Sequence, residues 1–221
     1  MRKYVQLAAA AASAAIVMVP MASADAATTH VLTIRKAGGP AVRAGAVLKA
    51  SLVTGTEAVF SLGTGTVKLI CKSARLSATV RSNPATPGNA TESLTAVTVA
   101  NCTVSGFPGL TFKSIKAKNL PYKVMVSDAK GDPVTVSGQT VTQPIKFTVT
   151  VTASGSPISC SYKAASVTGH ASNTASTIAF SKQKFTKAGG NQACLGPAHF
   201  SAKFGPVRDT SVKNSPKVFV N

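Results

Sequence analysis

Between Pro144 and Thr152 apolar and polar residues take strict turns: Ile145, Phe147, Val149 and Val151 alternate with Lys146, Thr148, Thr150 and Thr152. A period of two predicts a strand with one buried and one wet face. The same pattern recurs at Val67, Leu69 and Cys71, at Tyr122, Val124 and Val126, at Cys160, Tyr162 and Ala164, and more briefly at Ile178 and Phe180. The run Leu94–Val99 changes phase between Leu94 and Val97, as a β-bulge requires. Breakers punctuate these runs. Asn83–Asn89, with two prolines and a glycine, is the longest; Asp128–Pro133 and Ser154–Pro157 read as hairpin loops. Gly63-Thr64-Gly65 reads as a bend or bulge. Beyond the N-terminal segment, no window of eleven or more residues carries a helical apolar period. About eight to eleven short strands predict an all-β fold, an antiparallel β-sandwich, with a closed barrel as the alternative.

The first residues are patterned differently. Arg2 and Lys3 precede the uncharged, Ala-rich stretch Leu7–Val19, too short for the roughly 20 residues a bilayer needs. Ala22-Ser23-Ala24 follows as an A-x-A cleavage site, and Ala24-Asp25-Ala26 allows cleavage two residues later. Residues 1–24 are therefore expected to be a signal peptide, and 25–221 a single secreted β domain. The product should be extracellular or associated with the cell surface.

Export changes the meaning of the cysteines. Cys71, Cys102, Cys160 and Cys194 are an even set in an exported chain, which predicts two disulfides. Three pairings are open; the sequence-local one, Cys71–Cys102 with Cys160–Cys194, closes loops of about 30 residues and is preferred. No pair has the C-x₂₋₄-C spacing of a zinc site. Each half places a Cys at a strand end and a second Cys beside a Gly-Pro-type turn, which is also what a duplicated half would look like.

The chain offers little chemistry. Its acids are Asp25, Glu57, Glu92, Asp128, Asp132 and Asp209, and only Asp128 and Asp132 are near neighbours, in a turn where Asp ordinarily bonds its own backbone. His30, His170 and His199 are far apart, and no nucleophile elbow or phosphate loop is present. No catalytic residue, metal site or cofactor is expected, and the protein is read as non-enzymatic.

Charge is the loudest functional feature: 24 Lys+Arg stand against 6 Asp+Glu, a net charge of +18. Lysine dominates, at outward strand positions such as Lys68, Lys72, Lys123, Lys146 and Lys163. Two clusters stand out: Lys113, Lys116 and Lys118, and Lys182, Lys184 and Lys187. Such charge raises the local concentration of anionic partners. Outside a cell these are anionic cell-wall polymers, acidic polysaccharides or anionic lipid surfaces. Sequence-specific nucleic-acid reading is not expected, because Arg is scarce and Trp absent.

Several short motifs follow a familiar order. Val67–Cys71 is a strand ending in Cys; Val97–Thr103 is a Thr/Val strand ending in a second Cys; then come Asn119-Leu120-Pro121-Tyr122 and a late Cys194-Leu195-Gly196-Pro197. This order resembles the small secreted bacterial β-proteins that activate alkane oxidation, which tend to have Trp where this chain has Tyr122. The chain is also similar in style to uncharacterised secreted proteins of actinobacteria. The resemblance implies a non-enzymatic surface protein and carries over no catalytic residue. The first reading is thus a secreted basic β-protein that binds anionic components of the cell envelope or extracellular matrix. The second is an extracellular carrier of a small hydrophobic ligand, with Phe107, Phe112 and Tyr122 as candidate lining. The third is a secreted hydrolase, or a protease inhibitor presenting the loop Ser82–Asn89.

Overall fold

The computed structural model describes residues 28–221; the expected signal peptide and both cleavage positions lie outside the described residues. Fifteen strands follow in chain order: β1 (Leu32–Ile34), β2 (Val47–Ser51), β3 (Ala58–Leu62), β4 (Val67–Ser82), β5 (Asn89–Ser105), β6 (Leu110–Lys118), β7 (Tyr122–Ser127), β8 (Pro133–Ser137), β9 (Ile145–Ala153), β10 (Ser156–Ala164), β11 (Ser166–Ser172), β12 (Thr177–Gly190), β13 (Ala198–Phe204), β14 (Arg208–Asp209) and β15 (Val218–Val220). The count exceeds the expected eight to eleven partly because β1, β14 and β15 have only two or three residues, too few to show a period.

Eight strands close on themselves. In the order β11-β8-β7-β5-β4-β3-β13-β12 each is hydrogen-bonded to the next, and β12 pairs back to β11. The all-β class with two disulfides holds, and closure takes the barrel form that stood as the alternative. Closure removes the open edges that invite aggregation. Past the barrel, β12 runs on to pair with β10, then β9 and β6, making a second sheet. That sheet packs on β3 in sandwich fashion, since Phe147 of β9 lies 4.9 Å, ring to ring, from Phe60 of β3.

The core follows from the alternation. Phe60, Leu69, Val124, Phe147, Val149, Tyr162 and Phe180 are all buried. Phe147 also stacks on Tyr162 and meets Phe185 edge-on, at 5.3 and 5.0 Å, so one aromatic cluster joins barrel and second sheet. The small β1–β15 ribbon adds Leu32 and Val220 to the same core. The phase change in β5 is a bulge: Ser77 pairs with Ala96 and Ala78 with Leu94, leaving Thr95 as the extra residue. Gly63-Thr64-Gly65 is not a bulge but the turn between β3 and β4.

Cys71 bonds Cys102 and Cys160 bonds Cys194. Their settings differ. The first bridge joins directly opposed residues of β4 and β5, while the second ties β10 to the segment between β12 and β13. Two disulfides fit an oxidising compartment. Among the described residues no helix is long and apolar enough to cross a membrane.

Candidate functional site

In the second sheet every charged side chain is a lysine; β6, β9, β10 and β12 contain no Asp, Glu or Arg. Alternation turns Phe147, Val149, Tyr162 and Phe185 inward, so the intervening lysines face out. Register then decides which of them meet. Lys118 is directly opposite Lys146, and Lys146 directly opposite Lys163. Three ammonium-bearing residues therefore stand in one row across β6, β9 and β10, with strands about 4.8 Å apart. Like charges in opposed positions disfavour the sheet, so this row is a cost that folding alone does not explain.

Around the row the face is polar and uncharged. Next to it Lys116 pairs with Thr148 and Thr148 with Ser161. The Thr148 and Ser161 hydroxyls are 3.0 Å apart, and those of Thr150 and Ser159, one step further, 2.9 Å. On β12, Thr186 opposes Lys163 and Lys184 lies two residues away on the same face. The outcome is a hydroxyl-lined plane edged by Lys116, Lys118, Lys146, Lys163 and Lys184.

The two expected clusters contribute unequally. Lys116, Lys118 and Lys184 join the plane. Lys113 sits in the β6 bulge between Phe112 and Ser114 and is exposed beside it. Lys182 occupies the β12 bulge, where its backbone N–H is bonded to Ser201 Oγ at 2.9 Å. Lys187 is committed elsewhere: its Nζ donates to the Cys194 and Asn191 carbonyls at 2.9 and 3.3 Å. Lys146 and Lys163, the middle and end of the row, belong to neither cluster. A sequence signal for them exists, because each lies eight residues from the Ser154-Gly155 turn and a hairpin places such residues opposite one another.

Tyr122 holds this row in register. Its buried phenol reaches from β7 to the second sheet, shares its proton between the Lys118 and Lys146 carbonyls, and accepts a hydrogen bond from Lys146 N–H at 3.2 Å. Burial raises its pKa, so the phenol keeps the proton it donates. Tyr122→Phe leaves those carbonyls short of a donor. It should cost about 1–2 kcal/mol in chemical denaturation and weaken any partner that needs the three lysines aligned.

Elsewhere the chemistry-bearing residues stay dispersed. Asp128 Oδ2 accepts from Gly88 N–H at 2.9 Å, and Asp209 Oδ1 from Ser211 N–H at 2.9 Å. His30 Nδ1 lies 2.9 Å from the Asn83 carbonyl and His170 Nδ1 3.0 Å from that of Gly131. Among the described residues no three His, Cys, Asp or Glu side chains gather as a metal would need. The loop Ser82–Asn89 is fastened to the body through Asn83, whose side chain bonds Leu32 N–H and the Leu32 and Val42 carbonyls. Of the three aromatics considered as ligand lining, Phe107 borders an apolar cavity of about 330 Å³ and Tyr122 one of about 120 Å³. Phe112 packs against the core.

No protein-family model matches the chain, and no match is found among curated proteins or solved structures.

Proposed function

We propose that the protein is a secreted, non-enzymatic adhesion protein that attaches to an anionic polymer of the cell envelope or extracellular matrix through the outer face of β6, β9, β10 and β12. The observation that carries this reading is the in-register row Lys118, Lys146 and Lys163 on a sheet without a single acid. Repeated anionic groups along a polymer answer a repeated positive row, and they relieve the mutual repulsion that the row imposes on the sheet. The surrounding hydroxyls suit a polyol or sugar backbone, to which they both donate and accept. The resemblance to secreted activators of alkane oxidation agrees with a surface role.

Because the face is exposed, its attraction is screened by salt. Retention on isolated cell walls should be strong at low ionic strength and weaken toward physiological salt. Removing the anionic wall polymer should abolish it. The triple variant K118E/K146E/K163E should lose at least about tenfold in affinity at low salt. Retention that ignores salt, or that survives removal of the polymer, would falsify the reading.

A further inference from the structure

The cavity of about 330 Å³ lies at the end of the second sheet, where the β3–β4, β5–β6 and β9–β10 turns approach the segment between β12 and β13. Both layers supply its walls: Leu69 and Val104 on one side, Val149, Val151 and Ile158 on the other, with the Cys160–Cys194 bridge between. At the rim stand two large apolar side chains left in water, Phe107 at 54% and Leu195 at 42% exposure. The turn bearing Phe107 requires glycine, because Gly106 has φ +83° and a Cβ there would fall 2.0 Å from the Thr66 carbonyl oxygen.

Among the described residues that line it, Tyr162 alone, apart from the disulfide, has a polar side-chain atom, and that atom is spent. Its hydroxyl donates to the Leu195 carbonyl at 2.5 Å, and burial pushes its pKa up to about 12, so it keeps its proton. Water needs two to four polar partners to stay in such a space, and none is offered by these side chains. An unfilled volume also forfeits dispersion contacts along every wall. Collapse is resisted, since the disulfide and the Tyr162 bond both pin the Cys194-Leu195 segment. Lys187 reaches this segment, but its ammonium is bonded to the Cys194 and Asn191 carbonyls. A fatty acid's carboxylate therefore meets no free cation among the lining residues.

We infer that this cavity is a binding site for a neutral, apolar small molecule of about a dozen carbon atoms, by proportion to a 150 Å³ cavity that takes benzene, entering between Phe107 and Leu195. The site is separate from the lysine face and does not depend on the adhesion reading. It gives the protein a second capacity, to carry an apolar compound while attached to a charged surface.

Titration of the whole protein with N-phenyl-1-naphthylamine, followed by fluorescence, tests the site. A saturable rise at one dye per chain is expected. Dodecan-1-ol should displace the dye, and dodecanoate should need at least about tenfold more. Ala153→Trp places an indole at the cavity wall and should weaken dye binding tenfold or more. Leu195→Ser changes only the rim and should weaken it several-fold, so the site remains testable if the first variant folds poorly. Both variants should keep the wild-type retention on cell walls. Three results overturn the proposal: no saturable signal, dye affinity unchanged in both variants, or dye binding only after residues 1–27 are removed. The last would mean that the chain's own N-terminal segment fills the cavity.

Discussion

Above pH 7, Glu92→Gln should make the protein more stable, by about 1–3 kcal/mol or roughly 2–12 °C in Tm. Glu92 lies on β5 between Ala90 and Leu94, both buried, and is opposed by Val80 and Val124. Alternation thus turns its half-buried side chain toward the barrel interior, where it borders a small space of about 50 Å³ with Leu48, Val134 and Phe180. Burial pushes its pKa from 4.5 up to about 7. Below pH 4.5 the group is protonated in both folded and unfolded chains and has no effect on stability. Between 4.5 and 7 the unfolded chain gives up the proton while the folded chain keeps it, so stability falls as pH rises. Above 7 the cost of ionising this half-buried carboxyl is present in full. Glutamine is neutral throughout, so the difference between wild type and variant should vanish near pH 4 and be complete by pH 8. Thermal melts of the two proteins across that range check the sign; an equal difference at both ends would place the carboxyl in water.

Loss of either disulfide should destabilise the protein by about 4 kcal/mol, because each cross-link removes the closure entropy of a long loop from the unfolded chain. The loops span 31 and 34 residues. Together the two bridges approach the whole net stability of a typical domain, about 5–15 kcal/mol, so the doubly reduced protein should be largely unfolded at 37 °C. The single losses should differ in consequence. Replacing Cys71 and Cys102 by Ala removes a staple between β4 and β5, which remain paired over most of their length, and should leave the dye site intact. Replacing Cys160 and Cys194 frees the segment that carries Leu195 and should abolish dye binding as well as lower the unfolding midpoint. Denaturation curves read alongside dye titrations separate the two.

Local pattern was legible where one strand has one buried face. The alternation at Ile145–Val151 is β9, the phase change near Leu94 is the Thr95 bulge, and the sequence-local cysteine pairs are the two bridges. Closure was not legible in the same way. It depends on three register pairs between β11 and β12, His170–Ala179, Ala171–Ile178 and Ser172–Thr177, in a strand whose sequence is short and mostly polar. Gly169 helps set that pairing, since a Cβ there would fall 2.8 Å from the Phe180 ring; nothing in the sequence around it announces this contact. β12 serves two sheets along its length, which a window of a few residues does not reveal. For the candidate site, clustering along the chain found Lys116, Lys118 and Lys184. The row itself is a matter of register, in which residues 118, 146 and 163 become neighbours. Glu92 was hidden for a different reason: a charge at an alternating position reads as an outward residue until the strands beside it are known.

Under the proposed function, the row Lys118, Lys146 and Lys163, rather than net charge alone, attaches the protein to an anionic polymer. The most direct measurement moves charge without changing its total. A variant with Lys118→Thr and Lys163→Thr, compensated by Thr140→Lys and Thr168→Lys at exposed positions, is titrated against purified anionic wall polymer over a range of salt. The expected result is a Kd raised about tenfold at low salt with a shallower salt dependence than the wild type. Wild-type affinity and an unchanged salt dependence in this variant would contradict the account and reduce the lysine row to diffuse surface charge.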